Sequence, residues 1–135
     1  MKEEWYWLSL ILLQTALMFV PYVLNLFYKR GILGALRYYQ PAPAMSDWAQ
    51  RARAAHLNAI ENLVVLAPAV LSYLILMKDA ADAPRIVVCL QIYFFSRLAH
   101  YVVYAMKLNY LRTIFFLIGW ITTVCLICKV MQTLG

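Results

Sequence analysis

Four stretches of the chain, at about 5–28, 57–77, 86–106 and 111–130, carry at most two charged residues each, and nothing constrains the fold more. A helix needs roughly 20 mostly apolar residues to cross the hydrocarbon of a bilayer, and each stretch has that length. Within hydrocarbon every backbone polar group must be satisfied inside the segment, so the stretches are predicted to be helices. Apolar residues make up 65% of the 135 and charged ones 13%, against roughly 45–50% and about 25% in soluble domains. That balance excludes a disordered tail, a soluble enzyme and a nucleic-acid-binding module with a solvated basic face. Three cysteines are too few for a secreted disulfide framework.

The first stretch is expected to stay in the protein rather than act as a signal peptide. Glu3 and Glu4 stand where a basic start belongs, and no small-residue cleavage site follows. Pro21 is expected to bend this helix. The longest connection, about 29–50, contains Gly31, Gly34, Pro41 and Pro43, which interrupt regular structure. Ser46 or Asp47 can cap the helix that follows. The other connections, 78–84 and about 107–110, are short, so successive helices are antiparallel neighbours. The reading is one all-α domain over 1–135, an integral membrane up-and-down four-helix bundle.

The net charge of +6 is read first as topology. Lys29, Arg30, Arg37, Arg51, Arg53, Lys107 and Arg112 lie at one end of the bundle; Lys2, Lys78, Arg85 and Lys129 lie at the other. The positive-inside rule then places the first and third connections in the cytoplasm and both termini outside.

Charge inside a span costs at least roughly 2.5–3.5 kcal/mol on insertion scales, so such residues face the bundle interior or a wet cavity and mark function. They are grouped here. At 100° per residue, Arg51, Asn58, Glu61 and Asn62 share one arc of the second helix, which also carries Arg53 and His56. On the third helix Tyr93, Arg97, His100 and Tyr104 follow a helical stripe, and Arg112 opens the fourth beside Thr113. A plainer account pairs Glu61 with Arg97 as an ionic lock, uses Asn58 and Asn62 as interhelical bonds, and leaves Arg51, Arg53 and Arg112 to topology. It explains poorly why polar residues of three helices align at one end.

The segments Arg51-Ala-Arg-Ala-Ala-His-Leu-Asn-Ala-Ile-Glu-Asn62 and Arg97-Leu-Ala-His-Tyr-Val-Val-Tyr104, followed by a short turn and Arg112, resemble the MAPEG family, membrane-associated proteins in eicosanoid and glutathione metabolism. The resemblance implies a homotrimer with glutathione as co-substrate, bound between subunits near the cytoplasmic face. It implies a glutathione transferase or peroxidase acting on a lipophilic electrophile drawn from the membrane lipid. By position, Asn58 and Glu61 match residues holding the glutathione amine and backbone, with Arg51, Arg53, His56 and Asn62 around them. Arg97, His100 and Tyr104 match peptide contacts, and Arg112 matches the arginine that activates the thiol. Three positions depart from the pattern. Ala54 stands where many members have an arginine, a helix-two proline is displaced to Pro68, and the basic residue ending helix one is Lys29 or Arg30.

Two other classes compete. A binder or small exporter would use Glu61, the one acid inside a span, for proton coupling. A membrane thiol oxidoreductase would use Cys125 and Cys128, a C-x-x-C in an apolar span near its outer end, where cysteines mostly pack as small hydrophobes. That chemistry needs a second thiol pair, and Cys89 stands alone in the sequence. No cluster has metal-ligand spacing.

Overall fold

The computed structural model of the chain describes residues 2–36, 45–76 and 83–134. It is an all-helical up-and-down bundle in which four helical segments are long and apolar enough to cross a membrane. The first of these is two helices, α1 (Lys2–Leu17) and α2 (Val20–Leu36). Then come α3 (Asp47–Leu76), α4 (Ala83–Ala105) and α5 (Asn109–Leu134).

The bend expected at Pro21 is a full interruption at residues 18–19. Proline lacks an N–H and its ring crowds the carbonyl one turn earlier, which is where the break falls. The last turn of α1 tightens, with the Met18 N–H donating to Gln14 O at 3.1 Å and Thr15 O at 3.3 Å. Helix α4 adds two contacts at the break. Tyr101 Oη donates to Met18 O at 2.9 Å, and Gln14 Nε2 donates to Phe94 O at 3.2 Å. The break is thereby latched to a neighbour, as a membrane interior requires.

Helix α2 runs further than its sequence suggested, to Leu36, with a kink at Gly31, whose φ of 68° lies in the left-handed region. Arg37, Pro41, Pro43 and Lys78 lie outside the described residues. Ser46 stands at the N-cap position of α3, where its carbonyl accepts from the Gln50 N–H at 3.0 Å. It is also clasped by Asn25 of α2. The Ser46 N–H donates to Asn25 Oδ1 at 3.0 Å, and Asn25 Nδ2 donates to Ser46 Oγ at 3.1 Å.

The turn between α4 and α5 closes as a Schellman motif. Leu108 N–H donates to Val103 O at 2.9 Å and Lys107 N–H to Tyr104 O at 3.1 Å. Lys107 takes the left-handed conformation that glycine usually supplies, with φ 65°.

Packing divides the bundle lengthwise. Leu8, Ile11, Leu66, Val70, Tyr73, Leu74, Ile86, Leu90, Tyr93 and Leu126 fill the half away from Arg112. Toward the Arg112 end the contact is made by small residues. Ala49, Ala52, Ala55 and Ala59 are all buried along one side of α3, the pattern by which membrane helices approach closely. Large apolar side chains such as Val64, Ile75, Phe95, Ile114 and Ile121 face outward, as suits lipid or another subunit.

Candidate functional site

The centre of the polar region is Arg97, only 3% exposed on the inner face of α4. Its guanidinium lies between two rings, with Cζ 5.2 Å from the Tyr93 centroid and 5.3 Å from that of Phe116. Nη1 donates to Asn58 Oδ1 of α3 at 3.2 Å, while Nε and Nη2 have no hydrogen-bond partner among the described residues. Room for the group comes from α5, where Gly119 presents bare backbone; a Cβ there would stand 3.1 Å from Arg97 Nε and 3.0 Å from Ser96 Oγ. The ionic lock between Glu61 and Arg97 is not formed. Glu61 is exposed, and the amide of Asn58 is what Arg97 meets.

From Phe116 the contacts continue along the α4–α5 seam. His100, 3% exposed, lies 6.2 Å from the Phe116 ring and 5.5 Å from the Tyr104 ring, edge to face in the second case. The last member is Arg112, whose Cζ sits 4.8 Å over the Tyr104 ring. Arg112 is half-buried and its guanidinium makes no hydrogen bond to another described residue. A cation in the first turns of a helix is disfavoured by the helix dipole, and the ring face offsets this. The result is one unbroken line from Asn62 through Asn58, Arg97, Phe116, His100 and Tyr104 to Arg112, with Asn62 Nδ2 donating to Asn58 O at 2.7 Å.

Other residues of the polar arc go elsewhere. Arg51 Nε donates to Ala105 O at 3.0 Å, giving a C-terminal carbonyl of α4 both a hydrogen bond and a favourable charge. His56, 8% exposed, turns away from Arg97 and shares a 2.9 Å hydrogen bond between Nδ1 and Tyr22 Oη of α2. Arg53 is exposed and lines a groove of about 410 Å³ with Arg30, Met45, Gln50, Ala54 and Leu57. Of the two basic residues considered at the end of the first span, Arg30 is the one that reaches this groove.

Phe116 and Gly119 escape a reading of the sequence. Phe116 lies one turn after Arg112, so the helical period already put it on the same face. Gly119 suits close packing, but sequence does not say which side chain approaches it.

The matching region extends well beyond the polar line: a model of the MAPEG family covers residues 5–131, nearly the entire chain. This chain belongs to the MAPEG family. No curated protein and no solved structure matches it. As a MAPEG protein with four spanning segments it is an integral membrane protein. The MAPEG family includes glutathione transferases and peroxidases as well as non-enzymatic members.

Proposed function

We propose that this MAPEG protein is a glutathione transferase or peroxidase of a bacterial inner membrane, working as a homotrimer with glutathione held between subunits at the cytoplasmic Arg112 end. The observation that carries this reading is Arg112 itself. A permanently charged group is held by the Tyr104 ring at the start of α5 with its N–H donors uncommitted.

A free thiol has a pKa of about 8.5 and only its thiolate is a good nucleophile. A guanidinium beside the sulfur, at a helix N-terminus where the dipole also favours negative charge, lowers that value by direct attraction. A tenfold gain in the thiolate-to-thiol ratio requires about 1.4 kcal/mol, which one charge-assisted hydrogen bond can supply. Asn58, Glu61, Arg97 and Tyr104 are assigned to the peptide, with Arg51, Arg53, His56, Asn62 and His100 shaping the surroundings. The exposed Glu61 carboxylate is free to meet the glutathione amine at a subunit boundary. The lipophilic partner partitions from the bilayer and meets the thiolate sulfur, which in conjugation bonds to carbon while a leaving group departs or a double bond takes up the electron pair. In reduction the sulfur attacks the distal oxygen of a hydroperoxide, breaking the O–O bond so that the alcohol leaves with a proton, and a second glutathione converts the sulfenic acid to disulfide and water.

Calorimetry of glutathione with detergent-purified protein, joined to the ultraviolet thiolate band near neutral pH, tests the reading. The band appears with the parent and is lost with Arg112→Ala, and binding weakens with Glu61→Ala. Binding with no thiolate band in the parent would leave a glutathione binder that does not turn over. An exporter driven by a buried carboxylate is not favoured, since Glu61 is exposed rather than directed into the bundle.

A further inference from the structure

At the end of the bundle away from Arg112, Cys89 of α4 and Cys125 of α5 line one cavity of about 180 Å³, together with Arg85, Ile86, Leu126 and Lys129. Their common height follows from the helix register, and both line the same cavity. Ser96 and Arg97 approach Gly119, which fixes where the two antiparallel helices are level. Seven residues back along α4 and six forward along α5, each a displacement of about 10 Å, bring Cys89 and Cys125 to the same height. The lining repeats this symmetry, with residues 85, 86 and 89 from one helix and 125, 126 and 129 from the other. Cys128 does not line this cavity. Cys89, isolated in the sequence, therefore has a thiol neighbour, and the neighbour comes from the other helix rather than from the C-x-x-C spacing.

We propose that Cys89 and Cys125 form a redox-active dithiol that a membrane-dissolved organic hydroperoxide oxidises to a disulfide linking α4 to α5. Cys125 is exposed and Cys89 half-buried, so an oxidant arriving from the bilayer meets Cys125 first. The Cys125 sulfur attacks the terminal peroxide oxygen, the O–O bond breaks, and the alcohol leaves with a proton, giving a sulfenic acid. The Cys89 sulfur then attacks that sulfur and releases water. Two thiols lose two electrons and two protons; the hydroperoxide becomes alcohol and water. Arg85 and Lys129 lie one turn nearer the helix ends, so the cavity sits close to the interface, where water can take up and return protons. Only the two thiols are required, so the step is independent of glutathione and of the Arg112 site.

The test is oxidation of purified protein with cumene hydroperoxide, followed by thiol counting and peptide mapping. In a Cys128→Ser protein both remaining thiols should vanish together on a single chain, with a mass loss of two hydrogens and full recovery under dithiothreitol. The parent, with all three cysteines, should yield a peptide linking Cys89 to Cys125. A protein carrying both Cys89→Ser and Cys128→Ser should instead accumulate oxygen on Cys125. A Cys125–Cys128 link in the parent, links between chains, oxygen adducts in place of the disulfide, or thiols that persist would each overturn the proposal.

Discussion

Arg97 is seated against Gly119: a Cβ on that glycine would fall 3.1 Å from the guanidinium Nε and 3.0 Å from Ser96 Oγ. Neither neighbour is free to retreat. Ser96 Oγ donates to Tyr93 O at 2.8 Å, and the guanidinium is wedged between the rings of Tyr93 and Phe116.

Gly119→Ala is therefore expected to destabilise the protein despite alanine's advantage of about 1 kcal/mol in a helix. Overpacking at such contacts costs roughly 1–3 kcal/mol, so a net loss of about 1 kcal/mol is expected, and Gly119→Val should lose more. Thermal or SDS unfolding in detergent measures it.

Arg97→Met and Asn58→Ala should separate stability from binding. Replacing a buried ion by an apolar side chain of similar size is often neutral or stabilising, whereas removing the Asn58 acceptor strands a buried charge at a cost of roughly 1–3 kcal/mol. Unfolding should rank Asn58→Ala below Arg97→Met, while calorimetry shows glutathione binding weakened in both.

Tyr104→Leu should release Arg112 from its ring, while Tyr104→Phe keeps the face. A cation–π contact is worth about 0.5–2 kcal/mol, so conjugation should slow by up to roughly thirtyfold with leucine and much less with phenylalanine. Initial rates at saturating glutathione with a chromogenic electrophile decide between them.

Tyr101→Phe removes the donor that holds Met18 O at the break between α1 and α2. Hydrogen bonds between membrane helices average about 0.6 kcal/mol, so a small loss of stability is expected, with faster hydrogen exchange confined to residues near the break. Exchange mass spectrometry reads that pattern.

Span number and placement were legible because length and charge-free runs are properties of the chain alone. Pro21 located the interruption to within one turn for the same local reason. Gly31 and Gly34 suggested a loop, yet α2 continues to Leu36 with one kink, because a helix can resume after a single left-handed residue. At the site, the stripe on α4 held together: Tyr93 and Arg97 touch, as do His100 and Tyr104. The arc on α3 did not. Asn58, Arg51 and Glu61 share a side of the helix, but they meet Arg97, the end of α4 and open surface respectively. A helical wheel gives direction without naming what stands opposite, and the cavity shared by Cys89 and Cys125 was hidden for the same reason.

The tight Lys107–Leu108 reversal has a consequence for how the protein tolerates change in length. Tyr104 and Arg112 flank it, so a residue added or deleted there would change where and at what angle α5 starts and so move the arginine relative to the ring. Longer connections elsewhere can absorb insertions, but this one sets the azimuth of a charged group and cannot drift without turning that charge away from its aromatic seat.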